Sequence, residues 1–313
     1  MNNVLDVFVP AFGLLMLGVL LRATLLRDNA VWAGIERLVF WVLLPALLVS
    51  AIASVDLGAL PLGGMALTIW LALLAGGAAS LGLAWAFGLG HAAMTSVLQG
   101  GIRFNNFMGF AVVSGLFGPA GTALGAVATG LIVPFVQIGV TLAFAFGPGI
   151  GGPGVSGRPR PWRVARQLAL NPLLLACLGG FAASALGGLP AGVRPLLQAL
   201  GQAAVALGLL TVGAALAPSM LRSRLTLQAA TCVLKLGLMP LLVLGLGRAF
   251  GLDPLALAVA VVFMALPTAS TSYVMARAMG GDAPLMAALT TTEHLLAIIT
   301  LPLWIALLGF GAP

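Results

Sequence analysis

Stretches of about twenty apolar residues recur ten times along this chain, and no other feature restricts its possible folds as much. A helix that spans a bilayer needs about 20 mostly apolar residues. Segments near 4–25, 33–54, 62–88, 92–118, 120–146, 167–187, 195–218, 226–250, 255–279 and 284–309 each meet that length. Polar side chains between them are few. The 313 residues hold fourteen Lys or Arg and seven Asp or Glu, so 7% are charged, against about 25% in an ordinary soluble domain. That is too little charge to cover a soluble surface, which excludes a soluble enzyme, a nucleic-acid binder and a disordered chain. The excess of positive charge marks segment ends rather than a nucleic-acid partner. Cys177 and Cys232 lie far apart inside apolar runs, which gives neither a disulfide framework nor a metal-binding spacing. The sequence describes an all-α polytopic membrane protein, whose first partner is the lipid bilayer.

Orientation follows from where the arginines fall, because short cytoplasmic loops carry the excess of Lys and Arg. The loops after the odd-numbered segments hold Arg22, Arg27, Arg37, Arg158, Arg160, Arg163, Arg166, Arg222, Arg224 and Arg277, while the opposite loops hold only Arg194 and Arg248. Both termini are therefore expected outside. The first segment follows Met1-Asn2-Asn3, carries Asp6 and has no basic leader or small-residue cleavage site. It reads as a first spanning helix rather than a secretory signal. The Gly/Pro/Arg-rich stretch 147–166 reads as a cytoplasmic linker between a first repeat, 1–146, and a second, 167–313.

The two halves echo one another. Ala86-Phe-Gly-Leu89 recurs as Ala249-Phe-Gly-Leu252, 163 positions on, and Gly118 falls on Gly281 at the same offset. Pro10 and Gly18 fall on Pro172 and Gly180 at an offset of 162. An odd number of helices per repeat inverts the second half relative to the first, the arrangement through which many secondary transporters exchange inward-open and outward-open shapes. Some channels share it.

The fourth and ninth segments have poor helix centres. The fourth reads Gln99-Gly-Gly-Ile-Arg-Phe-Asn-Asn-Phe-Met-Gly109, with Arg103, Asn105 and Asn106 at its middle. Glycine weakens a helix, and asparagine side chains offer the backbone other partners. An arginine at this depth costs about 2.5–3.5 kcal/mol unless it finds water or a partner. The ninth reads Leu266-Pro-Thr-Ala-Ser-Thr-Ser-Tyr273. Pro267 removes a backbone donor, and Thr268, Ser270, Thr271 and Ser272 follow. At the 163-residue offset Pro267 aligns with Phe104 and Thr268 with Asn105. Two related breaks at one depth predict a site where half-helix ends meet a ligand, N–H ends favouring anions and carbonyl ends favouring cations.

These residues resemble the auxin efflux carrier family, whose bacterial members carry small carboxylates. The stretches that carry the likeness are Leu38-Val-Phe-Trp-Val-Leu-Leu-Pro-Ala-Leu47, Arg103-Phe-Asn-Asn-Phe-Met-Gly109, Leu116-Phe-Gly-Pro-Ala-Gly121 and Asn171-Pro172. To these are added Lys235 through Pro240 and Ala265 through Tyr273, with Ala276-Arg277. The resemblance implies ten transmembrane helices as two inverted five-helix repeats, similar to the bile acid–sodium symporters, with broken helices 4 and 9 crossing in a core of helices 3–5 and 8–10. Helices 1, 2, 6 and 7 would form a scaffold, which in plant relatives also makes a dimer, so a homodimer is an expectation here. The family's crossover motif maps onto Asn105 and Asn106 and onto Pro267 through Ser272. The long hydrophilic loop of many plant members is absent, which directs the expectation towards malonate- or malate-like acids rather than auxin itself. The implied setting is the inner membrane of a bacterium.

Other polar residues fall inside the apolar segments. Lys235 either snorkels to the cytoplasmic surface or stands as a fixed positive charge beside the breaks, balancing an anion or standing in for a coupling cation. Glu293, beside His294, departs from the family's small or hydroxyl residues, and is a candidate proton-coupling site or a charge partner for a basic neighbour. Asp6 and Asp56 are expected near the outer face, and His91 at the start of helix 4. The glycine-rich linker lacks the strand–turn–helix context of a phosphate loop.

The function expected is secondary active transport of small organic anions by alternating access at the helix 4/9 crossover. Arg103, Asn105, Asn106, Pro267, Thr268, Ser270, Thr271 and Ser272 are the candidate substrate site, since a guanidinium binds carboxylate bidentately and the amides add donors. Lys235 and Glu293 are the candidates for ion coupling or charge balance, with H+ or Na+ as the ion. An anion channel and a cation–proton antiporter of the same architecture are the alternatives. Neither an enzyme, a metal nor a cofactor is expected: the adjacent Glu293 and His294 do not face one another on a helix.

Overall fold

The computed structural model describes residues 4–54, 62–145, 162, 165–166 and 169–309. Asp56 and all of the linker 147–166 except Trp162, Ala165 and Arg166 lie outside the described residues. Among the described residues the secondary structure is helical, joined by turns and short non-helical stretches, with no strand. In chain order the helices are α1 (Val4–Ala23), α2 (Asn29–Ala53), α3 (Leu62–Ala86), α4 (His91–Ile102), α5 (Asn106–Ala145), α6 (Pro172–Ala185), α7 (Val193–Ala215), α8 (Leu225–Ala249), α9 (Pro254–Ala265), α10 (Thr271–Met279) and α11 (Ala283–Leu307). Seven helical stretches among the described residues are long and apolar enough to cross a membrane.

The helices start and stop for local reasons. Asp28, Asn171, Asp253 and Asp282 each place a side-chain oxygen on the first free N–H groups of α2, α6, α9 and α11, and a proline follows within two residues at the last three, where its missing N–H costs nothing. The repeated Ala-Phe-Gly-Leu is a helix stop. Gly88 (φ 61°) and Gly251 (φ 66°) are left-handed, and the N–H of Leu89 and of Leu252 reaches back to the carbonyls of Ala84 and Gly247 at 2.9 Å. That is the closing bond of a Schellman turn. Both bounds of α8 and of α9 lie 163 positions beyond those of α3 and α4. Within α5, Gly118 is non-helical (φ 59°, ψ −145°) and is followed by Pro119, so the helix bends where the sequence predicts two segments to part.

Two wide turns precede prolines. Val39–Leu43 in α2 and Val233–Leu238 in α8 are π-helical, next to Pro45 and Pro240, whose rings press on the carbonyl four residues back. The carbonyl opposite Pro240, that of Leu236, accepts a hydrogen bond from the Trp304 indole at 2.7 Å.

Polar and apolar side chains are placed as lipid demands. Trp85, Leu186, Ile299, Val233 and Leu178 face outwards, whereas Gln99, Asn105, Lys235, Glu293 and His294 are buried. With no water to favour apolar contact, helices associate through close packing of small residues. A Cβ on Gly18 would strike the Leu210 carbonyl and one on Gly213 the Leu15 carbonyl, so α1 and α7 touch backbone to backbone. Gly180 sets α6 against Ile52 of α2 in the same way. Helices α1, α2, α6 and α7 pack chiefly on one another, while α4, α9 and α11 pack among α3, α5 and α8.

Candidate functional site

The chain leaves helical geometry at two places here, and the two stretches touch. α4 ends at Ile102, Arg103 is extended (φ −79°, ψ 163°), and α5 starts at Asn106. α9 ends at Ala265, Leu266 is extended (φ −67°, ψ 145°), and α10 starts at Thr271. The N–H of Asn105 donates to the carbonyl of Pro267 at 2.8 Å. Each break thus satisfies the other's backbone, which non-helical chain at this depth requires.

Gly100 and Gly101, expected to weaken the helix, are instead helical and buried. They are there for approach. A Cβ on Gly101 would meet the Ser80 hydroxyl, and one on Gly100 would lie 3.1 Å from Thr231 and 3.3 Å from Glu293. The break itself is made by the three residues after Ile102.

Asn105 organises the first break. Its Oδ1 accepts from the N–H groups of Phe107 and Met108 at 3.1 and 3.2 Å, capping α5 from inside the protein. Its Nδ2 lies 3.0 Å from His294 Nε2, and His294 Nδ1 lies 2.7 Å from the Thr290 carbonyl. Protons are assigned from these partners. A carbonyl only accepts, so Nδ1 carries the hydrogen and Nε2 accepts from the Asn105 amide. Asn106 accepts from the Thr129 hydroxyl at 3.2 Å.

Arg103 reaches across to the second break. Its guanidinium donates to the Thr271 hydroxyl at 2.9 Å and to Gln99 Oε1 at 3.1 Å, and lies 2.9 Å from Met275 Sδ. No carboxylate pairs with it among the described residues. A small pocket of about 50 Å³ is lined by Arg103, Asn105, Asn106, Ser270 and Thr271 with Phe40, Phe104 and Gln137. It shares Arg103, Ser270 and Thr271 with a larger cavity of about 540 Å³, which extends along Phe40, Trp41 and Leu44 to Arg37, Asn171 and Met279. The N-terminal ends of α5 and α10 both meet this space, and helix N-termini attract anions. A second cavity of about 420 Å³ lies further along α2, lined by Ser50, Ser54, Ser114, Thr122, Gln198 and Gln202. Between the two, Phe107 packs its ring on Gly208.

The structure divides the predicted site residues. Arg103, Asn105, Asn106, Ser270 and Thr271 meet at the cavity. Pro267 contributes its carbonyl to the brace. Thr268 and Ser272 are turned away from the cavity and buried: the Thr268 N–H donates to Glu293 Oε2 at 2.7 Å, its hydroxyl donates to the Gln99 carbonyl at 3.1 Å, and the Thr268 and Ser272 hydroxyls lie 3.2 Å apart. Lys235 does not snorkel; it is 0% exposed. Glu293 sits behind the second break rather than in the cavity. Sequence reasoning passed over Gln99 and Gln137, although an amide inside an apolar segment is a visible signal, and over Met275, for which there was none.

The class these features define is a multi-pass membrane protein with a polar site at paired helix interruptions. A family model described as "Membrane transport protein" matches residues 159–305. The match points to a membrane transporter. No curated protein matches the chain.

Proposed function

We propose that the protein is a secondary active transporter of small organic anions, and that Arg103, Asn105, Asn106, Ser270 and Thr271 bind the substrate carboxylate while Pro267, Thr268 and Ser272 hold the second break in shape. One observation carries this reading. Arg103 presents a guanidinium, fixed by Gln99 and Thr271 and unpaired with any carboxylate among the described residues, to a cavity at two helix N-termini. A cation half-buried in the protein without a counter-ion is costly, and a substrate carboxylate offsets that cost with charge-assisted, bidentate bonds. The apolar walls from Phe40, Phe104 and Leu44 suit an acid with a compact organic body, malonate-like, malate-like or auxin-like.

In this reading the ten predicted passes are two inverted five-helix repeats. The recurrence of helix bounds and of the glycine stop at one offset supports it. The mutual packing of α1, α2, α6 and α7 supports a scaffold distinct from a core that carries both breaks. The larger cavity runs towards the arginine-rich loops, so the conformation is inward-facing, with Phe107 on Gly208 closing the path to the other side. Alternating access would move the breaks past that contact. The setting is a bacterial inner membrane with both termini outside.

The test is uptake and counterflow of radiolabelled malonate, malate and indole-3-acetate in proteoliposomes, with Arg103→Gln as control. Saturable counterflow of one acid, lost in the variant, is the expected result. Single-channel currents without counterflow would replace the carrier by a channel.

A further inference from the structure

Glu293 and Lys235 are unused by the substrate site, yet both are buried at 0% exposure. Glu293 projects from α11. Its Oε2 holds the Thr268 N–H, while Oε1, beside Gly100, has no hydrogen-bond partner among the described residues. Lys235 projects from α8, and its Nζ likewise has no partner there. The turn of α8 that carries Lys235 packs against α11, α4 and α9, so the two charges share one region of the core, but no direct ion pair joins them. Two buried opposite charges held apart forgo most of the attraction that would offset their desolvation. Such a pair is poised to change its protonation.

The surroundings leave Lys235 as the main charge that Glu293 feels. From α8 the buried Cys232 also faces it. On its own helix, His294 is turned to Asn105 and Thr290, and Asp282 is at the far end, paired with Arg224. His91 of α4 and Arg103 just beyond its end are engaged with the Ala143 carbonyl and with Thr271. Arg277 of α10 and Asp6 of α1 are exposed, Tyr273 and Arg22 are partly so, and α9 carries no ionisable side chain.

We infer that the Glu293–Lys235 pair is a proton-loading site, and that one proton taken up there travels with each substrate anion. The inference rests on the transporter reading above and names its coupling ion. With one proton between them the pair has no net charge, whether as ammonium and carboxylate or, after an N–H bond breaks and an O–H bond forms, as amine and acid. A second proton from the aqueous side makes ammonium and carboxylic acid, net +1, so taking up one proton together with one carboxylate at Arg103 leaves the total charge of the core unchanged. The acid is a weaker acceptor for the Thr268 N–H than the carboxylate. Loading therefore loosens the residues that lead into Ser270 and Thr271, on the cavity side of the same break. By linkage, anion and proton each strengthen the binding of the other.

The experiment measures uptake of malonate, malate and indole-3-acetate into proteoliposomes with and without an imposed proton gradient, and the infrared carboxyl band of the substrate-free protein on acidification. The wild-type uptake ratio is expected above one. In Glu293→Gln it should fall to one, and the protonated-carboxyl band should lose a component. Should that variant fail to fold, Lys235→Met with Glu293→Met removes both charges together, a change that buried pairs often tolerate, and the same ratio of one is expected. Saturable wild-type counterflow with a ratio of one would overturn the proton role and leave the carrier standing. A variant with the wild-type ratio would do the same. Absence of counterflow for every acid would overturn the transporter reading and this inference with it.

Discussion

Asn105→Ala is the substitution for which the structure gives the clearest magnitude. Asn105 is 1% exposed and its Oδ1 serves two backbone N–H groups. Alanine leaves both without an acceptor. Phe107 borders the cavity and gains some relief from water, but Met108 is 0% exposed and its N–H bears the full desolvation cost, about 1–3 kcal/mol. The capping loss at Phe107 adds about 1 kcal/mol, and His294 Nε2 loses its donor for about another 1 kcal/mol. We expect about 3–5 kcal/mol of destabilisation. Asn105→Ser keeps an oxygen at the cap but does not reach His294, so it should recover about half. Equilibrium unfolding in mixed micelles, followed by circular dichroism, measures both. An alanine variant within about 0.5 kcal/mol of wild type, the range of an inconsequential surface change, would refute the account. So would serine performing no better than alanine, because the cap would then contribute nothing.

Three further outcomes are expected. Arg103→Lys should raise the KM for a carboxylate by about tenfold or more in counterflow assays, because an ammonium cannot reproduce the fork held by Thr271 and Gln99 and loses about 1.5–3 kcal/mol of charged hydrogen bonding. Gly118→Ala and Gly139→Ala should differ in sign: neither has an atom within 4 Å of an added Cβ, but only Gly118 has a positive φ, so it should lose about 1–3 kcal/mol to backbone strain while Gly139 gains about 0.5–1 kcal/mol of helix propensity, both read by unfolding. Gly208→Val should stop counterflow, since a Cβ there strikes the Phe107 ring, and the added change Phe107→Ala should restore part of it; no recovery would mean that the block lies elsewhere.

How much of the site was legible depended on how local its cause is. The break after Ala265 was readable because Pro267 lacks a donor wherever it sits. The break at Arg103 was placed almost correctly, but for a partly mistaken reason: Gly100 and Gly101 looked like weak helix, and only the approach of Ser80, Thr231 and Glu293 explains them. Thr268 and Ser270 look alike in the sequence, yet one braces the back of the break and the other lines the cavity. The turn between them decides that, and no periodicity encodes it.

The sequence alone determined the membrane class and the approximate extent of most apolar segments. Apolar run length is a property of one stretch of chain, so it can be read without neighbours, whereas the caps and glycine stops that fix the exact ends emerged with the structure. Only the tertiary structure decided that Lys235 is sealed inside rather than snorkelling, that Asn105 meets both Pro267 and His294, and that Arg103 is left without a carboxylate among the described residues. Those outcomes depend on which helices approach one another and how closely. Contacts between residues 160 to 190 positions apart, made where small side chains let backbones meet, are set by packing and not by any stretch of chain.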